Sequence, residues 1–168
     1  MWTTGWSSSA ASRSATSSSS PTTKRDIVIV AYDADWPRRF EIERHRITVA
    51  LGRRAITVDH IGSTSVPGLP AKPIIDVDLA VADVDDEAAY LPDLLAAGYE
   101  LRVREPGHRM VRPLQQDVHV HVTTAGTDRV RRDLRFRDRL RVDAADRDAY
   151  AALKRRLARH ERLRRGQE

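Results

Sequence analysis

Hydrophobic positions change their period several times along the chain, and each change marks an element. A β-branched run, Ile27 to Val30, opens the patterned part of the sequence and predicts a strand. Tyr32-Asp-Ala-Asp-Trp-Pro37 then reads as a turn into a helix, with Asp35 a candidate N-cap and Pro37 tolerated in the first turn. Phe40, Ile47 and Leu51 share one face of that helix, and Gly52 offers its stop. Strands are predicted over 55–61 and 74–82, and a helix over 86–97 in which Pro92 must either kink the helix or sit in its first turn, before Gly98 ends it. Three strand-like runs follow, Tyr99–Arg104, Arg109–Leu114 and Gln116–Thr123, with Pro106-Gly107 turning between the first two. Beyond Gly126 the spacing is helical. Val130, Leu134, Phe136 and Leu140 share a broad face, and after a break near Asp143 a second helix shows Tyr150, Leu153 and Leu157.

This order predicts an α+β (mixed α/β) fold, a mixed sheet flanked by helices and closed by two C-terminal helices. With 168 residues and no internal repeat, one domain over 25–168 is expected. Residues 1–24 are rich in Ser and Thr and show no period, so they are expected to be disordered; an upstream start would account for them.

Composition narrows the compartment. The chain has no cysteine, which excludes disulfides and thiolate metal sites. No apolar run approaches the roughly 20 residues that span a bilayer, and no secretory pattern opens the chain, so a cytoplasmic location without membrane contact is expected. The net charge of +5 is unevenly spread: residues 25–128 carry 12 basic and 17 acidic side chains, residues 129–168 carry 15 and seven. A nucleic-acid or phosphate partner is one reading of that asymmetry, a solvated arginine-rich helical face paired with the acidic centre the other. The arginines are interleaved with acids and lack stacking aromatics, so nucleic acid is not the expected partner.

Candidate chemistry concentrates in residues 60–81. Gly62 and Ser63 form a turn whose backbone N–H groups can face an anion. Lys72 follows, where its ammonium can reach a phosphate or offset nearby acids. On the strand that comes next, alternation puts Asp76 and Asp78 side by side, a pair whose repulsion a hard cation such as Mg2+ would relieve. Alternation also pairs His119 and His121 on one face of the last strand, with Asp117 in the same alternation at its start. If the two strands are neighbours, carboxylates and imidazoles line one floor, with His60 a further candidate for it. Three readings stand open: a metal site of mixed oxygen and nitrogen ligands, a Mg2+ site with histidines as phosphate partners or proton shuttles, and a His pair on the solvated face of an edge strand.

The run His60-Ile-Gly-Ser-Thr-Ser-Val-Pro-Gly-Leu69 and the run Ala71-Lys-Pro-Ile-Ile-Asp76 resemble the signature of the GrpB-like family. Tyr32–Phe40, Gly98-Tyr99, Arg104-Glu-Pro-Gly-His108, His121-Val122, Phe136–Arg141 and Tyr150-Ala-Ala-Leu-Lys154 support the resemblance in order, so that it covers about residues 26–160. It implies the nucleotidyltransferase superfamily fold. It also implies a phosphate turn at Gly62 and Ser63 and a Mg2+-binding pair at Asp76 and Asp78, with a third carboxylate on a later strand, where this chain departs by offering His119 and His121; Lys72 and Arg109 are the candidates for charge on the phosphates. The implied activity is Mg2+-dependent nucleotidyl transfer to an acceptor; the alternative is an inactive module that binds a nucleotide or coenzyme A precursor. Similar domains are fused to dephospho-CoA kinase in some bacteria, so a phosphorylated small molecule and proteins of the coenzyme A pathway are the expected partners.

Overall fold

The structure, a computed structural model, describes residues 28–114 and 117–165. The tail at 1–24, Ile27 and Gln116 lie outside the described residues. Among the described residues four α-helices and five strands follow one another in the order α1 (Trp36–Leu51), β1 (Thr57–Ile61), β2 (Ile75–Val81), α2 (Leu91–Ala96), β3 (Tyr99–Glu105), β4 (His108–Pro113), β5 (Val118–Thr124), α3 (Asp128–Val142) and α4 (Ala144–Arg165). This is the mixed α+β arrangement that the pattern predicts. No helix among the described residues is long and apolar enough to cross a membrane.

The strands form one sheet in the order β1-β2-β5-β4-β3, in which β2 and β5 run parallel and every other pair antiparallel. β5 is therefore central, and its histidines do not lie on an edge strand. Alternation sorts the residues between two faces. Ile75, Val77, Leu79 and Val81 of β2 join Val118, Val120 and Val122 of β5 under α1 and α2, where Trp36, Ile47, Leu51, Leu91 and Leu94 complete the core. Burying each of these larger side chains contributes roughly 1.5–3 kcal/mol. The opposite face carries Asp76, Asp78, His119, His121 and Thr123. α3 crosses part of that face: Arg137 donates to the Asp59 carboxylate at 3.3 Å and to the His60 carbonyl at 3.2 Å.

Three expectations are corrected. Of residues 28–30 only Val30 pairs, in an isolated antiparallel bridge to Ala71. Ala71 is flanked by Pro70 and Lys72-Pro73, and proline has no N–H with which to extend a ladder. The helix expected over 86–97 is a 3-10 turn, Glu87–Ala89, followed by α2, which places Pro92 in a first turn where its missing N–H costs nothing. Asp35 holds the N-cap position without capping; its carboxylate instead accepts from Arg38 at 2.6 and 3.2 Å.

His60 also departs from expectation. It pairs with Val77 in register, which puts it on the helix-covered face, stacked on Phe40 at 4.8 Å between ring centroids. The Thr64 hydroxyl donates its only hydrogen to the Ile74 carbonyl, so at 3.0 Å it must accept from His60 Nε2–H. Burial holds the imidazole neutral and pushes its pKa down to about 4. Between that value and the ordinary 6.5, the unfolded chain binds a proton at His60 that the folded chain refuses, so acidification through this window favours unfolding. Relative to His60→Gln, wild type should lose up to about 3 kcal/mol of stability as pH falls across it. Denaturant unfolding of both proteins at several pH values measures this, and a pH-independent difference would contradict it.

Candidate functional site

Parallel pairing sets Asp76 directly beside His119 and Asp78 beside His121. Asp76 Oδ1 lies 3.5 Å from His119 Nδ1 and 3.6 Å from His121 Nε2. One donor atom from each of the three residues falls within 4.8 Å of the others. Burial works against the Asp76 carboxylate, yet the two imidazoles outweigh it and hold its pKa below the usual value. The residues are half-buried, with 24–30% of each side chain exposed, so the cluster is open to solvent on one side.

The turn at residues 62–65 closes tightly against this cluster. Gly62 has φ +70°, and a Cβ there would stand 2.6 Å from Asp76 Oδ2. Ser65 Oγ donates to the Gly62 carbonyl at 2.6 Å, and Arg141 of α3 donates twice to the Ser65 carbonyl, at 3.0 and 2.9 Å. The turn is thus pinned from within and from the C-terminal helices.

Between turn and sheet lies a cleft of about 290 Å3 lined by Ser63, Thr64, Lys72, Asp76, His119 and Lys154, with Ile29 and Ile74 as apolar walls. Lys154 comes from α4, where its ammonium donates to the Pro70 carbonyl at 2.6 Å and lies 5.2 Å from the Tyr150 ring centroid. Burial disfavours its charge and lowers its pKa to about 8. Two lysines against one carboxylate leave the cleft suited to an anion.

Not every expected residue is brought here. Asp78 shares the face of Asp76 but is 2% exposed and lies outside the Asp76–His119–His121 group. Thr123 donates to one of its oxygens at 3.2 Å, the other has no hydrogen-bond partner among the described residues, and burial pushes its pKa up to about 6, with Asp59 and Asp133 adding to the rise. Asp133 and Arg137 belong to α3, which covers this end of the face. Arg109 is also elsewhere. It pairs with Val122 in register, which puts it on the opposite face, and its guanidinium is held by Glu87, by Asp85 at 3.0 Å and by the Glu105 and His108 carbonyls.

Two residues that end runs carrying the family resemblance, His108 and Lys154, are not among the site residues expected from the sequence. Lys154 sits in a helix whose basic residues read as a solvated face. His108 Nε2 lies 3.1 Å from His121 Nδ1, and extending the β4 alternation back from Met110, which pairs with His121, would have found it.

Residues 26–167 match the family model described as GrpB protein. The chain belongs to the GrpB family. A UPF0157 protein of Halalkalibacterium halodurans is 51% identical over 138 residues, 80% of this chain and 71% of the relative. The crystal structure of conserved protein GrpB from Enterococcus faecalis is similar with a TM-score of 0.71 and 33% identity, covering 79% of this chain and 84% of that one. A shorter match, 40% identical over 74 residues, covers 42% of this chain and 18% of a dephospho-CoA kinase of Mycobacterium tuberculosis.

In this GrpB-family chain the Mg2+ expected on Asp76 and Asp78 meets a poor fit. A magnesium clamp uses hard oxygen donors, and the open donor set has one carboxylate and two imidazoles while the second carboxylate is sealed under α3.

The close approach of Gly62 to Asp76 is testable. Gly62→Ala should be costlier than Gly107→Ala, because both glycines have positive φ but a Cβ at Gly107 meets nothing within 4 Å. The expected gap is roughly 1–3 kcal/mol, the usual range for overpacking, read from chemical denaturation of the two variants. Equal costs would mean that Asp76 yields freely.

Proposed function

We propose that this protein binds the phosphate groups of a nucleotide or another phosphorylated small molecule in the cleft between the 62–65 turn and β2. One observation carries the reading: Lys72 and Lys154, which lie far apart in sequence, line the same small cleft as the turn. Only tertiary structure joins them; an ammonium carries three N–H donors, and Lys154, which gives one to the Pro70 carbonyl, keeps two for a phosphate. The match to a dephospho-CoA kinase supports coenzyme A precursors and adenine nucleotides as the first ligands to try.

Binding without turnover fits the geometry better than nucleotidyl transfer. Phosphoryl chemistry of that kind depends on positioning and on charge placed around the transferring group. Here Asp78 is withdrawn from the cleft, and the charge that remains accessible suits holding an anion. Nucleotidyl transfer, the activity that the family resemblance implies, is supported as a second reading by the open carboxylate of Asp76 on the cleft wall. Under it, phosphates held by Lys72 and Lys154 would lie beside that carboxylate.

Calorimetric titration with ATP and with dephospho-CoA tests the binding. Lys72→Met and Lys154→Met should each weaken affinity about tenfold or more, the cost of one charge-assisted hydrogen bond. Unchanged affinity in both variants would remove the cleft from consideration. Pyrophosphate release with any acceptor would decide for transfer over binding.

A second outcome concerns pH. Lys154 loses its proton near 8 in the free protein, so anion affinity should fall as pH rises from about 7 to about 9. Lys154→Arg, which stays charged, should flatten that fall. An equal decline in both proteins would place the titrating group elsewhere.

A further inference from the structure

We infer that Asp76, His119 and His121 form a three-ligand site for a borderline divalent transition ion, of which zinc is the representative, and that His108 orients the site from behind. The inference goes beyond the phosphate reading and does not need it, because the donors meet whether or not an anion occupies the cleft.

The distances suit such an ion. Two donors each about 2.1 Å from a metal and separated by the tetrahedral angle lie about 3.4 Å apart. Asp76 Oδ1 stands 3.5 Å from His119 Nδ1 and 3.6 Å from His121 Nε2. The donor chemistry separates the candidate metals. Imidazole nitrogen suits zinc, copper, iron and nickel, whereas magnesium takes oxygen and keeps its waters. Two imidazoles and one carboxylate therefore favour the transition ion.

The surroundings give independent support. His121 presents Nε2 toward Asp76, while its Nδ1 lies 3.1 Å from His108 Nε2. His108 in turn sets Nδ1 3.4 Å from the Glu105 carboxylate, an exposed group at the end of β3. Passing the His121 Nδ1 hydrogen outward to His108 Nε2 leaves His121 Nε2 as a bare lone pair facing the cluster, while His108 Nδ1 is buried and makes no hydrogen bond among the described residues, with the Glu105 carboxylate at ion-pair distance only. Metal-bound histidines are usually oriented in this way through their second nitrogen. Three protein donors also leave a coordination position open, and Asp76 and His119 both line the cleft. That is the pattern of a site that accepts an exogenous ligand, as distinct from a closed structural site.

The alternative is that the imidazoles only offset the Asp76 charge. The full chain, stripped of metal by chelator, should be titrated separately with Zn2+, Co2+ and Mg2+ by calorimetry, without nucleotide. One equivalent of Zn2+ is expected to bind at least ~100-fold more tightly than Mg2+, and bound Co2+ is expected to show visible absorption of a low-coordinate nitrogen and oxygen site. His119→Ala and His121→Ala should abolish stoichiometric Zn2+ binding. His108→Ala should weaken it by about 10–100-fold, the usual effect of removing such an orienting partner. His45→Ala, on the exposed face of α1, should change nothing. Circular dichroism checks that the variants fold, and the wild-type titration stands without them. Magnesium binding as tight as zinc, Zn2+ binding that survives both His119→Ala and His121→Ala, or no stoichiometric Zn2+ binding would overturn the inference.

Discussion

The register of the parallel β2–β5 pair is the constraint on which the rest of the molecule depends. It sets Asp76 against His119 and Asp78 against His121 on one face, and Val77 against Val120 and Leu79 against Val122 on the other. Because side chains alternate with period two, a slip of one residue would drive the acids and imidazoles into the helix-covered core and expose the valines. The hydrophobic face therefore fixes the polar one. Burial of the valines beneath α1 and α2 is what holds the site residues in line, although those helices lie on the far side of the sheet.

The polar face is then divided by the C-terminal helices. α3 crosses the end that carries Asp59 and Asp78 and ties itself down through Arg137, while Arg141 grips the turn at Ser65. α4 continues from α3 and brings Lys154 to the Pro70 carbonyl. A small second core, Val66, Leu69, Leu140 and Ala151, joins the loop after the turn to these two helices. One packing event thus both withdraws one carboxylate and delivers a cation. Several arginines that make the C-terminal segment so basic are engaged within the chain: Arg139, for example, meets both Asp143 and Asp146.

Much of the fold was legible because the pattern is strong. The alternation of β2 and β5, the stop at Gly52, the turn at Pro106-Gly107 and the break at Asp143 all report local backbone preference or one-sided burial, which neighbouring residues reveal. The turn with its required glycine was legible for the same reason. Elements that depend on a distant partner were not. The run at Val28–Val30 has strand propensity, yet among the described residues it pairs only through Val30, in a single bridge to Ala71 between prolines. The same holds at the site, where Asp78 and Arg109 have suitable chemistry but are paired and buried by elements that no local pattern connects to them.

By itself the sequence determined the GrpB resemblance, the two-faced strands, and the placing of Gly62, Asp76, His119 and His121 near one another once their strands are neighbours. Those features follow from period and turn chemistry, which are local. Tertiary structure alone decided that β2 and β5 are neighbours at this register, that Asp78 is sealed while Asp76 stays open, that His60 turns to the core, and that His108 and Lys154 join the site. Each of these is a question of which surface covers which group. Coverage is settled by long-range packing of apolar faces, and a side chain's own neighbours in sequence carry no record of it.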